Sequence, residues 1–125
     1  MPLRSIIWMG SSKDEDYVLI SKTLRHNHLN AYASILRHLA EYAKAKEYYE
    51  LALNSDLVTY REDHPQVAIG RNNLGSVYYA LGDYPKAIEY LELAYKTMLP
   101  VLVADHPGTK TVKGNLDSAI EASKK

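Results

Sequence analysis

The chain has no cysteine, no phenylalanine and no net charge. Without cysteine there is no disulfide framework, no thiolate metal site and no cysteine nucleophile. Fifteen basic side chains balance fifteen acidic ones. That balance removes the long-range field on which a general nucleic-acid or anionic-membrane binder relies. No apolar run approaches the roughly 18–20 residues that cross a bilayer. The opening MPLRSIIWMGSSKDED holds one Arg and a short apolar patch, Ile6 to Met9, too short for a secretory core. A phosphate-cradling Gly-rich loop, GxSxG and HExxH are missing as well. These absences lead us to expect a soluble cytoplasmic protein with no cofactor, no metal and no catalytic residue, and with neither nucleic acid nor membrane as partner.

What the chain does contain is a segment written twice. Residues 41–53 read EYAKAKEYYELAL and residues 83–95 read DYPKAIEYLELAY, with eight of thirteen positions identical at an offset of 42. Asp63-His64-Pro65 returns at the same offset as Asp105-His106-Pro107. A fixed period of this size is the mark of stacked repeats. With 46% hydrophobic residues the chain can build a core. Its eleven tyrosines suit thin helical layers, because a Tyr ring packs while its hydroxyl reaches water.

Apolar spacing predicts five helices and no strand. Residues 1–16 form a leader outside the repeat, and residues 17–125 a repeat domain with units at about 26–67 and 68–109 and a closing helix at 107–123. The first helix is expected from about Asp16 to Ala40, with Leu29, Tyr32, Ile35, Leu36 and Leu39 inward. The second runs from Ala43 to Leu57, with Ala45, Tyr49, Ala52 and Leu53 on one face and Asn54-Ser55-Asp56 weakening its end. The third spans Pro65 to Leu81, with Val67, Arg71, Leu74, Val77, Tyr78 and Leu81 on one face. Pro65 fits the first helical position, and Asp or His just before it can cap. Gly82 closes this helix as a left-handed residue. The fourth spans Tyr84 to Leu99, and Pro100 should end or kink it. The fifth buries Val112, Leu116, Ala119 and Ile120.

Unit 2 reads Asn72-Asn73-Leu74-Gly75, Tyr78, Gly82-Asp83-Tyr84, Ala87 and Ala94; unit 1 has Tyr32-Ala33, Leu36, Tyr42, Ala45 and Ala52. This pattern resembles the tetratricopeptide repeat, and the 42-residue spacing its longer, kinesin-light-chain-like variant. The resemblance covers about residues 26–122. It implies an all-α superhelix of antiparallel helix pairs that binds a partner protein or peptide in a concave groove. Gly75 and Ala87 fall where paired helices cross, a place for short side chains. Gly75 corresponds to Ala33 in unit 1 and to Asp117 in unit 3, and Asp117 makes sense if the fifth helix shows that face to water.

Helical spacing places Asn30, Ser34 and Arg37 of unit 1, Asn72, Asn73, Ser76 and Tyr79 of unit 2, and Asn115 of unit 3 on the groove face. An Asn amide offers both donors and an acceptor, so it can hold an extended peptide backbone without reading its sequence. In groove-binding relatives an Asn at the place of Asn73 does this. A bland alternative is a solvated helix face. Tyr48 and Tyr90 lean outward and offer a second, convex surface. His26-Asn27-His28 spells a nuclease-like triplet, but i and i+2 on a helix point apart. Asp63-His64 and Asp105-His106 recur at one phase, as helix starts do and active sites do not. A second function class is self-assembly: Val18, Leu19, Ile20 and Leu24 lack a partner helix within the pattern, which leads us to expect a homodimer.

Overall fold

The computed structural model describes residues 27–102 and 105–125. The leader, the first half of the predicted first helix and His26 therefore lie outside the described residues. Five helices and no strand occur among the described residues: α1 (27–38), α2 (Tyr42–Thr59), α3 (Pro65–Ala80), α4 (Tyr84–Leu102) and α5 (Pro107–Ser123). Each packs against the next in an antiparallel layer, and α3 also touches α5. The chain is an all-α superhelix of helix pairs.

The starts of α3 and α5 are built alike. His64 and His106 sit in extended conformation before Pro65 and Pro107. Their Nδ1 atoms accept from the backbone N–H of Gln66 and Gly108, both at 3.0 Å. These bonds satisfy donors that the first helical turn leaves open. The His of each Asp-His pair is thus a helix cap, and the pair marks a helix start, as its recurrence suggested.

The ends of α1 and α3 also match. Asp83 N–H donates to Tyr78 O and Gly82 N–H to Tyr79 O, with Gly82 at φ 83°. One unit earlier, Glu41 N–H donates to Leu36 O and Ala40 N–H to Arg37 O, with Ala40 at φ 62°. Both are the left-handed closure with paired bonds back into the last turn. In unit 1 an alanine stands where the geometry favours glycine.

The core runs through the helix pairs. Ala33, Leu36, Ala45, Tyr49, Leu53, Val67, Leu74, Val77, Tyr78, Ala87 and Leu91 form one buried cluster, which extends to Leu116 and Ala119. A second cluster joins Ala68, Ala94, Met98 and Val112. A Cβ added to Gly75 would lie 2.5 Å from Leu91 Cγ and 3.3 Å from Ala87 O. That approach explains the glycine, and Ala33 is fully buried at the same phase. Asp117, by contrast, is exposed and bonds Lys113 at 2.7 Å one turn back. Tyr78 is buried and stacks on Tyr90, with ring centres 5.6 Å apart. Tyr32 meets Tyr48 edge-on at 4.6 Å. Both outward-leaning tyrosines are half-buried against rings of the neighbouring helix.

Four expectations need correction. Of the stripe predicted on α1, Leu36 is buried, but Tyr32, Ile35 and Leu39 are 45, 57 and 64% exposed, and Ala33 takes the core position. Among the described residues no helix covers the upstream side of α1, whereas α2 covers that side of α3. The helix α2 does not weaken at Asp56. It continues to Thr59, because Asp56 lies on the buried face and Thr59 Oγ1 donates to Ser55 O. Nor does Pro100 end α4, which runs on to Leu102. The proline falls in the last turn, so the single i→i−4 bond it removes, to the carbonyl of Lys96, lies at the helix's end and leaves the turns before it intact. Leu81, predicted on the inner face, is the exposed cap of α3.

Candidate functional site

The face shared by α1, α3 and α5 is where the sequence placed the groove, and it stays open. Asn30, Ser34, Arg37, Asn72, Asn73, Ser76 and Asn115 are half-buried, and Tyr79 is exposed. None of the predicted site residues is buried in the core. Their neighbours on this face, Ile69, Thr111, Ser118 and Glu121, are exposed as well.

The asparagines act together. Asn73 Nδ2 donates to Asn30 Oδ1 at 3.4 Å, and Asn115 Nδ2 donates to Asn72 Oδ1 at 3.1 Å. Each bond joins one unit to the next, at a sequence separation of 43. The result is an amide ladder across three helices. Because Asn72 and Asn73 are adjacent on α3, the ladder steps sideways by one residue at each unit. Ala31 stands at the phase of Asn73 and Asn115, so unit 1 contributes only the receiving amide. Each bond turns an amide toward a fixed direction and spends one of its two N–H groups. Ser76 Oγ donates to Asn72 O at 3.0 Å, so that hydroxyl is turned back on its own helix. At the edge of the face, His38 Nδ1 donates to Ser34 O at 2.7 Å.

Beside the ladder lies a cleft of about 170 Å³ lined by Ser76, Tyr79, Leu91, Asn115 and Ser118. The Tyr79 ring closes one side and is held edge-on by Tyr84, 5.6 Å between centres. Arg37, Tyr79 and Glu121 share one phase of the repeat, so the row they form passes from positive through aromatic to negative. Lys113, whose ammonium is held above its ordinary pKa by its hydrogen bond to Asp117, faces that carboxylate. Among the described residues, no three His, Cys, Asp or Glu side chains gather as metal ligands would. His28 is exposed, and His26, the other imidazole of its triplet, lies outside the described residues.

Helical spacing puts these asparagines on one face but does not show which amide meets which. The signal for the pairing is Asn at one phase of a unit and at the following phase of the next, an offset of 43. The buried Asp56 was missed, although it follows Tyr49 and Leu53 at seven and three residues, on the same helix face.

Comparison with protein families fits this geometry. The family described as Tetratricopeptide repeat matches residues 24–99. The chain belongs to this family. Tetratricopeptide repeats are generally protein-interaction modules, and typically scaffolds rather than enzymes. The match takes in α1 to α3 and most of α4; α5 lies beyond it and repeats the cap and the ladder of α3. Among curated proteins, none matches this chain.

Proposed function

We propose that this tetratricopeptide domain is a non-catalytic adaptor that holds a partner peptide along the face of α1, α3 and α5. The observation that carries the reading is the asparagine ladder. Of the amides fixed by the Asn73–Asn30 and Asn115–Asn72 bonds, those of Asn72, Asn73 and Asn115 keep donor and acceptor capacity for a peptide N–H and C=O. They pay their ordering entropy in the free protein, which favours binding of an extended backbone. The half-burial of the ladder beside an exposed Tyr79 supports the same reading. The 42-residue spacing supports placement with the longer, kinesin-light-chain-like repeats, and the lack of cysteine supports a reducing, cytoplasmic setting.

Panning a peptide library against the protein, with counter-selection on Asn73→Asp, tests the reading. The carboxylate keeps the shape but removes the donors. A bound peptide family should lose roughly 1–2 kcal/mol with the variant, the cost of an unmet polar group. Peptides that bind equally well to both forms would move the working surface elsewhere.

A second reading, self-assembly, is favoured by the open sides of the array. Tyr32 and Ile35 are exposed at phases where Leu74 and Val77 are fully buried. Between α4 and α5 lies a cleft of about 590 Å³ lined by Ile88, Leu93, Tyr95 and Leu116 among others. A homodimer that uses these faces should dissociate on Ile35→Glu in sedimentation equilibrium; a monomer at high micromolar concentration would contradict it.

A further inference from the structure

We infer that the peptide this groove takes is a polyproline II segment, uncharged at its centre, with an acidic residue toward α1 and a basic residue toward α5. The inference rests on the groove reading and adds the ligand's conformation and chemistry.

The first argument is spacing. The ladder bonds make α1, α3 and α5 direct neighbours on this face. Packed helices lie about 8–10 Å apart, so equivalent positions recur along the groove at about that interval. Three residues of polyproline II advance about 9 Å and complete one turn. A peptide in that conformation therefore shows the same side to each unit in succession. A β-strand covers a similar distance in three residues but arrives with its side chains and carbonyls reversed. A groove that repeats an amide at one phase in successive units, Asn30 with Asn72 and Asn73 with Asn115, suits the three-fold ligand.

The second argument is the donor set. A proline-rich segment offers backbone carbonyls and few N–H groups. The ladder amides of Asn73 and Asn115 each retain an N–H beyond the ladder bond, and the cleft beside them is walled by Tyr79. An exposed aromatic ring next to donors for carbonyls is how proline-rich segments are held elsewhere. The cleft of about 170 Å³ has room for a proline ring.

The third argument is charge. Asn30, Ser34, Asn72, Asn73, Ser76, Asn115 and Ser118 form an uncharged strip. At the phase of Tyr79, Arg37 stands one unit upstream and Glu121 one unit downstream. The complementary peptide carries an acidic residue, a proline three residues on, and a basic residue three further, read in one chain direction.

The test uses blocked, fluorescently labelled heptapeptides on the full chain: Asp-(Pro)5-Lys, Lys-(Pro)5-Asp, and an Asp/Lys-ended peptide with an alternating Thr-Val centre. Polarisation titration should show one proline peptide bound, its reverse at least tenfold weaker, and the Thr-Val peptide weaker still. Tyr79→Ala should weaken the proline peptide at least tenfold while the melting temperature stays within a few degrees. The pair Arg37→Glu with Glu121→Arg should exchange the preference between the two proline peptides, which a merely structural role for these residues would not do. If the Thr-Val peptide binds as tightly as either proline peptide and is lost in Asn73→Asp, the polyproline II inference falls and the groove reading stands. If neither these peptides nor any selected from a random library binds, both fall.

Discussion

Asp56 brings a carboxyl into the packed face of α2 at the phase where the next unit has Met98, itself buried against Ala68, Ala94 and Val112. Burial lifts its pKa from the ordinary 3.8 to about 6, because a charged carboxylate loses water it cannot fully replace. The sign of the consequence follows from proton binding. The folded chain holds this proton more tightly than the unfolded chain, so stability from this site is fully present below about pH 4 and is lost as pH rises through about 6. Substitution by Asn should remove that slope. Urea denaturation of the wild type should give a stability difference between about pH 4 and about pH 7 that exceeds that of Asp56→Asn by about 1–2 kcal/mol, after allowance for screening at the helix end. Equal pH profiles for the two proteins would show that Asp56 is not the group responsible. The sequence hid this residue because Asn54-Ser55-Asp56 reads as a helix breaker; only its heptad relation to Tyr49 marks it as inward.

At the scale of the helix pair, most of what holds the elements was legible. Pro65 and Pro107 at first helical positions, the residues before them as caps, Gly82 as a left-handed stop and Gly75 as the crossing point all follow from local steric rules, and local rules act without knowledge of the neighbours. The exposed side of α1 was not legible, because whether Tyr32 and Ile35 are covered depends on what packs upstream and not on the helix's own period. The ladder was half legible: helical spacing put each Asn on the open face, but which amide meets which depends on the one-residue stagger between neighbouring helices. The turn after α1 leads to a prediction of its own. Ala40 stands at φ 62° where the equivalent Gly82 stands at φ 83°, and the surrounding bonds are the same. A left-handed alanine is strained by about 1 kcal/mol relative to glycine. Ala40→Gly should therefore raise stability by about 0.5–1 kcal/mol, less the flexibility it adds to the unfolded chain, and Gly82→Ala should lower it by a similar amount. Opposite shifts in the denaturation midpoint would confirm the shared turn, whereas a loss in both variants would refute it.

Across the whole molecule, the repeat explains why position 117 differs from its counterparts. In a stacked array each unit is stabilised by its neighbours, and close approach of the next helix needs a small residue at the crossing. Ala33 and Gly75 provide it; Asp117 does not, and its carboxylate is engaged by Lys113 at 2.7 Å. A helix laid across α5 as α4 lies across α3 would press a leucine onto that carboxylate, at the place where even a Cβ on Gly75 comes within 2.5 Å of Leu91 Cγ. The charge therefore keeps this face of α5 in water, and it rather than the rest of α5 should set the limit, since Leu116 and Ile120 keep apolar character at the phases of Leu74 and Tyr78. This can be tested by adding the helix. A copy of residues 83–99 joined after position 124, with Lys124→Gly to reproduce the Gly82 turn, should stabilise the protein in an Asp117→Gly background. With Asp117 retained, the gain should be smaller by about 2 kcal/mol or more, from overpacking and burial of a charge. Guanidinium denaturation of the two extended proteins, each compared with its unextended parent, reads the difference. An equal gain in both backgrounds would mean that the added helix does not cross at 117, and that the repeat geometry does not continue past α5 in the register that α3 and α4 define.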